Sequence, residues 1–197
     1  MPKNIFTITP LLEKDIQQAA QIHRTTIKSP GSAIGDPYLQ NIYQWVIRNP
    51  TLGFGMAAKK RDTGDLVGSI LVTFDREKFG NVFVDPRVFL GLIFSIVSGR
   101  VSIHDFLQHR TFQQAVGHVY QKPYVSIQAL SVAPSMQRMG IGRALVESVC
   151  KQAKRKNISH VYVDTLIVNK GAQKFYRSMG FNEIKRAEDS ILYRLEV

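Results

Sequence analysis

The chain has 197 residues, 44% of them hydrophobic and 21% charged, with a formal net charge of +11. Such a composition excludes a fibrous or disordered chain, and the length suits a single domain, residues 1–197, able to bury a real core. Cys150 stands alone, which excludes an intrachain disulfide, and the opening MPKNIFTITP lacks the basic and apolar pattern of a secretory leader, so a reducing, cytoplasmic setting is expected.

In chain order, residues 4–8 alternate as a short strand. Pro10 and the acidic turn Glu13 to Asp15 then introduce a helical period through Ile16, Ala19, Ala20 and His23. Ser29 to Pro37 reads as a loop of Gly, Pro and Ser, and Tyr38 to Arg48 as a second helix, stopped by Asn49-Pro50. Phe54 to Lys59 and Leu66 to Phe74 flank the turn Arg61-Asp62-Thr63-Gly64-Asp65 and predict an antiparallel hairpin.

Asp75 to Pro123 shows no strand alternation. It is too long for a structureless loop and is expected to form a mainly helical insertion, packed as a lid or side layer. Its apolar run Val88 to Val97 is about half of the ~20 residues that a membrane-spanning helix needs, so no stable membrane insertion is expected. A core helix, a homodimer surface and a wall of an acceptor pocket remain open for it. Val125 to Ala133, Gly142 to Lys156 and His160 to Thr165 read as strand, helix and strand. A helix over Lys170 to Ser178 follows, ended by Gly180, and then a closing hairpin of Phe181 to Arg186 and Ile191 to Val197.

The positive charge suits nucleic acid, an anionic membrane or a small anionic ligand. Residues 125–197 hold 12 of the 26 Lys and Arg against 6 of the 15 Asp and Glu, no RNA-reading or zinc-finger pattern occurs, and no nucleic-acid partner or metal is expected. The decisive stretch is Leu130-Ser131-Val132-Ala133-Pro134-Ser135-Met136-Gln137-Arg138-Met139-Gly140-Ile141-Gly142-Arg143, a strand that turns through glycines into a helix. Gly140 and Gly142 let a ligand approach the backbone, and the first helical amides with the helix dipole behind them suit a pyrophosphate. Arg138 and Arg143 can add charge-assisted bonds. A Rossmann site is the rival, with Asp164 lying 22 residues beyond Gly142, but Leu145 stands where its third glycine belongs.

Gln137-Arg138-Met139-Gly140-Ile141-Gly142 resembles the Q/R-x-x-G-x-G/A acyl-CoA loop of the GNAT superfamily of N-acetyltransferases. Asn169, Ala172, Phe175-Tyr176 and Gly180-Phe181 resemble its second signature. The resemblance implies an α/β (α+β) fold: a mixed, mostly antiparallel sheet with a V-shaped splay, flanked by helices, here with the insertion between the third and fourth strands. It implies acetyl-CoA as cosubstrate. The backbone of Leu130, Ser131 and Val132 would pair with the pantetheine arm, the segment Gln137, Arg138, Met139, Gly140, Ile141, Gly142 and Arg143 would hold the pyrophosphate, and Asn169, Ala172 and Phe175 would line the arm. It further implies transfer of the acetyl group to a primary amine by direct attack, with Tyr176 as the acid that protonates the leaving sulfur. Asp75 to Pro123 departs from the family pattern, which leaves the acceptor open.

No Glu occupies the strand Val125 to Leu130, and Gln128 cannot act as a base. His104, His109, His118, Asp164 and bulk water stay open for that role. Cys150 reads as core, and the basic run Lys151 to Lys156 as a helix end that complements the dipole. A non-catalytic acyl-CoA sensor and a basic nucleic-acid or membrane-binding protein are the competing functions.

Overall fold

The computed structural model describes residues 5–27, 30–80, 86–99, 102, 117–187 and 189–197. Seven strands form one sheet in the order β1-β2-β3-β4-β5-β7-β6. They are β1 Phe6–Pro10, β2 Gly53–Lys60, β3 Leu66–Thr73, β4 Tyr124–Val132, β5 His160–Leu166, β6 Asn182–Arg186 and β7 Ser190–Glu196. All neighbours run antiparallel except β4 and β5, which are parallel because helix α6, Ile141–Arg155, crosses over between them. This is the mixed, mostly antiparallel sheet that the family resemblance implies.

Every residue of β3 is buried, so this central strand is covered on both faces. One face packs on α6, whose Ile141, Leu145, Val146, Val149 and Ala153 recur at helical spacing and meet Ile70, Val72, Val125, Ile127, Val161 and Val163. Burying each of the larger side chains contributes about 1.5–3 kcal/mol. The other face packs on α1, Ile16–Thr26, and α3, Asp36–Arg48, through Ala19, Ala20, Leu39, Tyr43 and Val46 against Ala57, Leu71 and Ala129.

The expected loop of residues 29–37 is corrected in part: Pro30–Ile34 forms a short helix, α2, and Gly35 then adopts φ 112° before Asp36 opens α3. Proline is preorganised for the first turn of a helix, so the residue that reads as a loop signal here starts an element. Between β3 and β4 lie α4, Arg76–Gly80, α5, Pro86–Val97, and a 3₁₀ turn, Gly117–Val119, which fits a mainly helical insertion among the described residues. Helix α5 contains the apolar run 88–97 and packs against α2 and α3, with Ser95 buried and Leu90, Phe94 and Val97 exposed. It is thus not wholly a core helix. No helix among the described residues is long and apolar enough to cross a membrane. The last helix, α7, is Lys170–Ser178.

A chain of polar groups runs through the α1 and α3 side. His23 Nδ1 shares a hydrogen bond with Tyr43 Oη at 3.3 Å, Tyr43 Oη with Ser69 Oγ at 3.3 Å, and Ser69 Oγ with Ser131 Oγ at 3.2 Å. Burial lowers the His23 pKa from 6.5 to about 4, since a charged imidazole would lose its hydration here. The unfolded chain therefore binds a proton on this histidine throughout that window while the folded chain does not. Stability is fully present above pH 6.5 and is lost as pH falls toward 4, on the order of 3 kcal/mol in all, at about 1.4 kcal/mol per pH unit. Urea unfolding at pH 7 and pH 5 is expected to show a larger acid loss for the wild type than for His23→Gln; equal losses would mean that His23 is not the group responsible.

Candidate functional site

Parallel pairing between β4 and β5 covers Tyr124↔His160 to Ile127↔Val163 and no more. Beyond it β4 stays on β3, from Ala129↔Leu71 to Val132↔Gly68, and β5 stays on β7, from Asp164↔Leu192 to Leu166↔Ser190. The strands fork where a β-bulge interrupts the β3 register and leaves Gln128 unopposed, and bulges bend the strand that carries them. Leu130, Ser131 and Val132 thus present the edge of β4 that faces the fork without a strand partner, and such backbone groups call for a ligand or water. Ser131 is buried and points its hydroxyl to the α3 side, while Leu130 and Val132 pack toward α6.

β4 leads through a 3₁₀ turn, Pro134–Met136, into α6. Gly140 is the N-cap at φ 81° and Arg138 sits at φ 63°, so the loop doubles back through left-handed backbone that an arginine adopts only at a cost. The first amide to bond back is Ala144 N, donating to Gly140 O at 3.0 Å, and among the described residues no acceptor serves the amides of Arg138 to Arg143. They are unpaired donors at the positive end of a helix, an arrangement that suits an anion. A Cβ on Gly140 would meet nothing within 4 Å, so the space beside it is open, whereas one on Gly142 would lie 3.5 Å from the Phe175 ring.

The side chains of the loop divide their tasks. Gln137 Nε2 donates to Val132 O at 3.1 Å and ties the loop to the strand end. Met139 is exposed, Ile141 is buried as the first core residue of α6, and Arg143 lies on the surface at 3.8 Å from Glu147. In the second signature, Asn169 caps α7 by accepting from Ala172 N at 3.0 Å, which satisfies one of the helix's unpaired first-turn donors. Phe175 joins α7 to Gly142 at the start of α6, and Ala172 packs against the same core. Tyr176 is buried between Phe175 and Phe181, with ring centroids at 5.2 and 5.4 Å. Burial and the nearby Asp164 carboxylate hold its phenol well above the ordinary tyrosine pKa, so it stays protonated at neutral pH. Its hydroxyl makes no hydrogen bond among the described residues, which leaves its proton available to a ligand.

On the α3 face of the fork the structure joins Asp164 and Gln128 to Arg76 and Ser126, two residues that the sequence did not single out. Arg76 Nη1 donates to Asp164 Oδ1 at 2.7 Å and to Ser126 Oγ at 3.0 Å, and Gln128 Nε2 donates to the same Ser126 Oγ at 3.0 Å. Desolvation pulls the Arg76 pKa down, but Asp164 beside it wins and the net direction is up. Asp164, a candidate base, is therefore one half of a largely buried ion pair. The signal for this cluster was the polar Ser126 and Gln128 within a mainly apolar strand. His118 is exposed on the 3₁₀ turn, and His104 and His109 lie outside the described residues. Cys150 is half-buried against the α6 core, as expected, and burial raises its thiol pKa.

The model of the family described as Acetyltransferase (GNAT) matches residues 19–181. Among curated proteins, the [ribosomal protein bS18]-alanine N-acetyltransferase of Escherichia coli strain K12 is 33% identical over 54 residues, 27% of this chain. The match spans 36% of that relative's length. The crystal structure of the ribosomal-protein-S18-alanine N-acetyltransferase from Escherichia coli superposes with a TM-score of 0.60 at 15% identity, covering 98% of this chain and 94% of that one. The NatC complex bound to a Gag peptide and CoA gives 0.62 at 16% identity, covering 98% and 99%. At these identities the structures share the fold.

The loop geometry yields a prediction. Gly140→Ala must hold an L-residue at φ 81° and is expected to cost about 1–2 kcal/mol. Gly142→Ala, inside the first helical turn with only ordinary contact to Phe175, is expected to be neutral or stabilising by up to about 1 kcal/mol. Urea denaturation of the two variants checks the difference, and equal costs would refute the left-handed cap.

Proposed function

We propose that this chain, which belongs to the Acetyltransferase (GNAT) family, is a single N-acetyltransferase domain that moves an acetyl group from acetyl-CoA to a primary amine. The observation that carries the reading is the fork after Ile127 and Val163, set directly beside the row of unserved amides at the start of α6. An extended arm with two amides fits the open edge of β4 at Leu130 and Val132, and a pyrophosphate fits Arg138 to Arg143, where Gly140 leaves space. Arg138 and Arg143 add positive charge, and Asn169, Ala172 and Phe175 bring α7 alongside. Family membership supports acetyl-CoA as the donor substrate.

The chemistry follows from placement. A neutral amine entering from the α3 face attacks the thioester carbonyl held in the fork, the C–S bond breaks, and the thiolate takes the Tyr176 proton. The amine's surplus proton passes to solvent, since Asp164 is tied to Arg76 and Gln128 is no base. The curated relative named above acts on an alanine of a ribosomal protein, so a peptide with an N-terminal alanine is the first acceptor to try.

Two measurements test this reading. Saturating acetyl-CoA or CoA, at about 100 times its Kd, is expected to stabilise the chain by about 2.7 kcal/mol in a thermal-shift titration, with no response to NAD. Tyr176→Phe is expected to lower kcat for CoA-thiol release by about 10²–10⁴-fold while leaving the CoA-induced shift intact. An unchanged kcat would remove Tyr176 as the acid, and a wild-type chain that binds CoA without turnover would favour the sensor.

A further inference from the structure

The insertion leaves the sheet after β3 and returns at β4; its first root reaches the fork, and its second is fastened on the paired stretch of β4 and β5 just before it. At the first root, Arg76 N donates to Tyr124 Oη at 3.1 Å, and the Arg76 guanidinium reaches Asp164 and Ser126. At the second, Tyr162 Oη accepts from Gln121 N at 3.2 Å and donates to Val119 O at 3.4 Å. Tyr120 packs its ring against Tyr124 and Tyr162 at 4.8 and 4.6 Å and lies under the Arg76 guanidinium at 5.3 Å. One cation thus touches α4, β4, β5 and the returning root.

The Arg76 and Asp164 side chains are only 13% and 17% exposed. A buried ion pair contributes little net stability, because desolvation of both charges offsets their attraction, so stability alone does not account for a charged pair at this place. Location does: Asp164 is the first β5 residue past the last pairing with β4, Ser126 lies on β4 just before that point, and one guanidinium holds both. We infer that Arg76 is a positioning residue for acetyl transfer, bridging Ser126 of β4 and Asp164 of β5 and so fixing the two strands where the fork opens. This rests on the acetyltransferase reading. Without Arg76 the Asp164 carboxylate is stranded and the two strands lose their common partner. Docking of the insertion's first root and the geometry of the fork are then one condition.

The test compares the wild type with Arg76→Met, Arg76→Lys and the double variant Arg76→Met/Asp164→Asn. Thiol release from acetyl-CoA is followed with an alanyl peptide and with water alone as acceptor, alongside the CoA thermal shift. Arg76→Met is expected to lower kcat at least 10-fold, with KM for acetyl-CoA within about 3-fold of the wild type and the CoA shift retained. Arg76→Lys recovers part of the loss, and the double variant exceeds Arg76→Met because no carboxylate is stranded. A kcat for Arg76→Met equal to the wild type's, or a loss matched by an equal loss of the CoA shift, overturns the positioning role alone. A wild-type chain whose melting ignores CoA and acetyl-CoA overturns the acetyltransferase reading instead.

Discussion

Parallel strands that run side by side normally stay hydrogen-bonded along their common length, since a peptide group withdrawn from water without a partner costs about 1–3 kcal/mol. In this protein β4 and β5 stop pairing at Ile127 and Val163 while each keeps its outer neighbour. The constraint that follows organises the rest. Each arm of the fork must be gripped from outside, by β3 and by β7, and the inner edges are left to a ligand or water. The bulge at Gln128 bends β4 away, and Gln137 fastens the loop to the end of that arm, so the unpaired amides at the start of α6 are held in register with the open edge.

The two faces of the sheet serve this arrangement differently. Toward α6 and α7 the contacts are almost wholly apolar, from Ile70 and Val125 to Phe181 and Tyr193, and this face supplies the burial that stabilises the fold. Toward α1, α3 and the insertion, hydrogen-bonded polar groups are built in: the His23–Tyr43–Ser69–Ser131 chain and the Arg76–Asp164 pair. Such groups add little net free energy but are directional, and they locate β4 relative to the helices more sharply than apolar contact can. The face on which the insertion docks is thus the one whose geometry is set by hydrogen bonds. The orientation of Tyr176, by contrast, is set from the apolar side, by Phe175 and Phe181.

Much of this was legible in particular residues. Val125 to Ala133, Gly142 to Lys156 and His160 to Thr165 were legible as the strand, helix and strand of a β-α-β unit, and Lys170–Ser178 is the helix that its sequence predicted. Gly140 and Gly142 were both read as letting a ligand approach the backbone; the structure adds that Gly140 holds a left-handed φ of 81° and that a Cβ on Gly142 would make ordinary contact with Phe175. Asn169 was linked to the pantetheine arm through the resemblance, and its observed partner is the Ala172 amide. Residues 29–37 read as a loop because Pro, Gly and Ser are turn formers, yet Pro30 opens a short helix, a position for which proline is preorganised.

What the sequence by itself determined is local: the type of each main element, the glycine-bearing turn into α6, and Tyr176 on a capped helix behind it. These are written within a few residues, because helix caps, strand alternation and left-handed turns depend on near neighbours. What only the tertiary structure decided is who meets whom across the chain: where β4 and β5 part, that Asp164 is bound to Arg76 from 88 residues away, and that both roots of the insertion end on Tyr124 and Tyr162. No periodicity encodes such meetings. They follow from strand register and from the packing of whole layers, in which a shift by one residue would turn each of these side chains to the opposite face of the sheet.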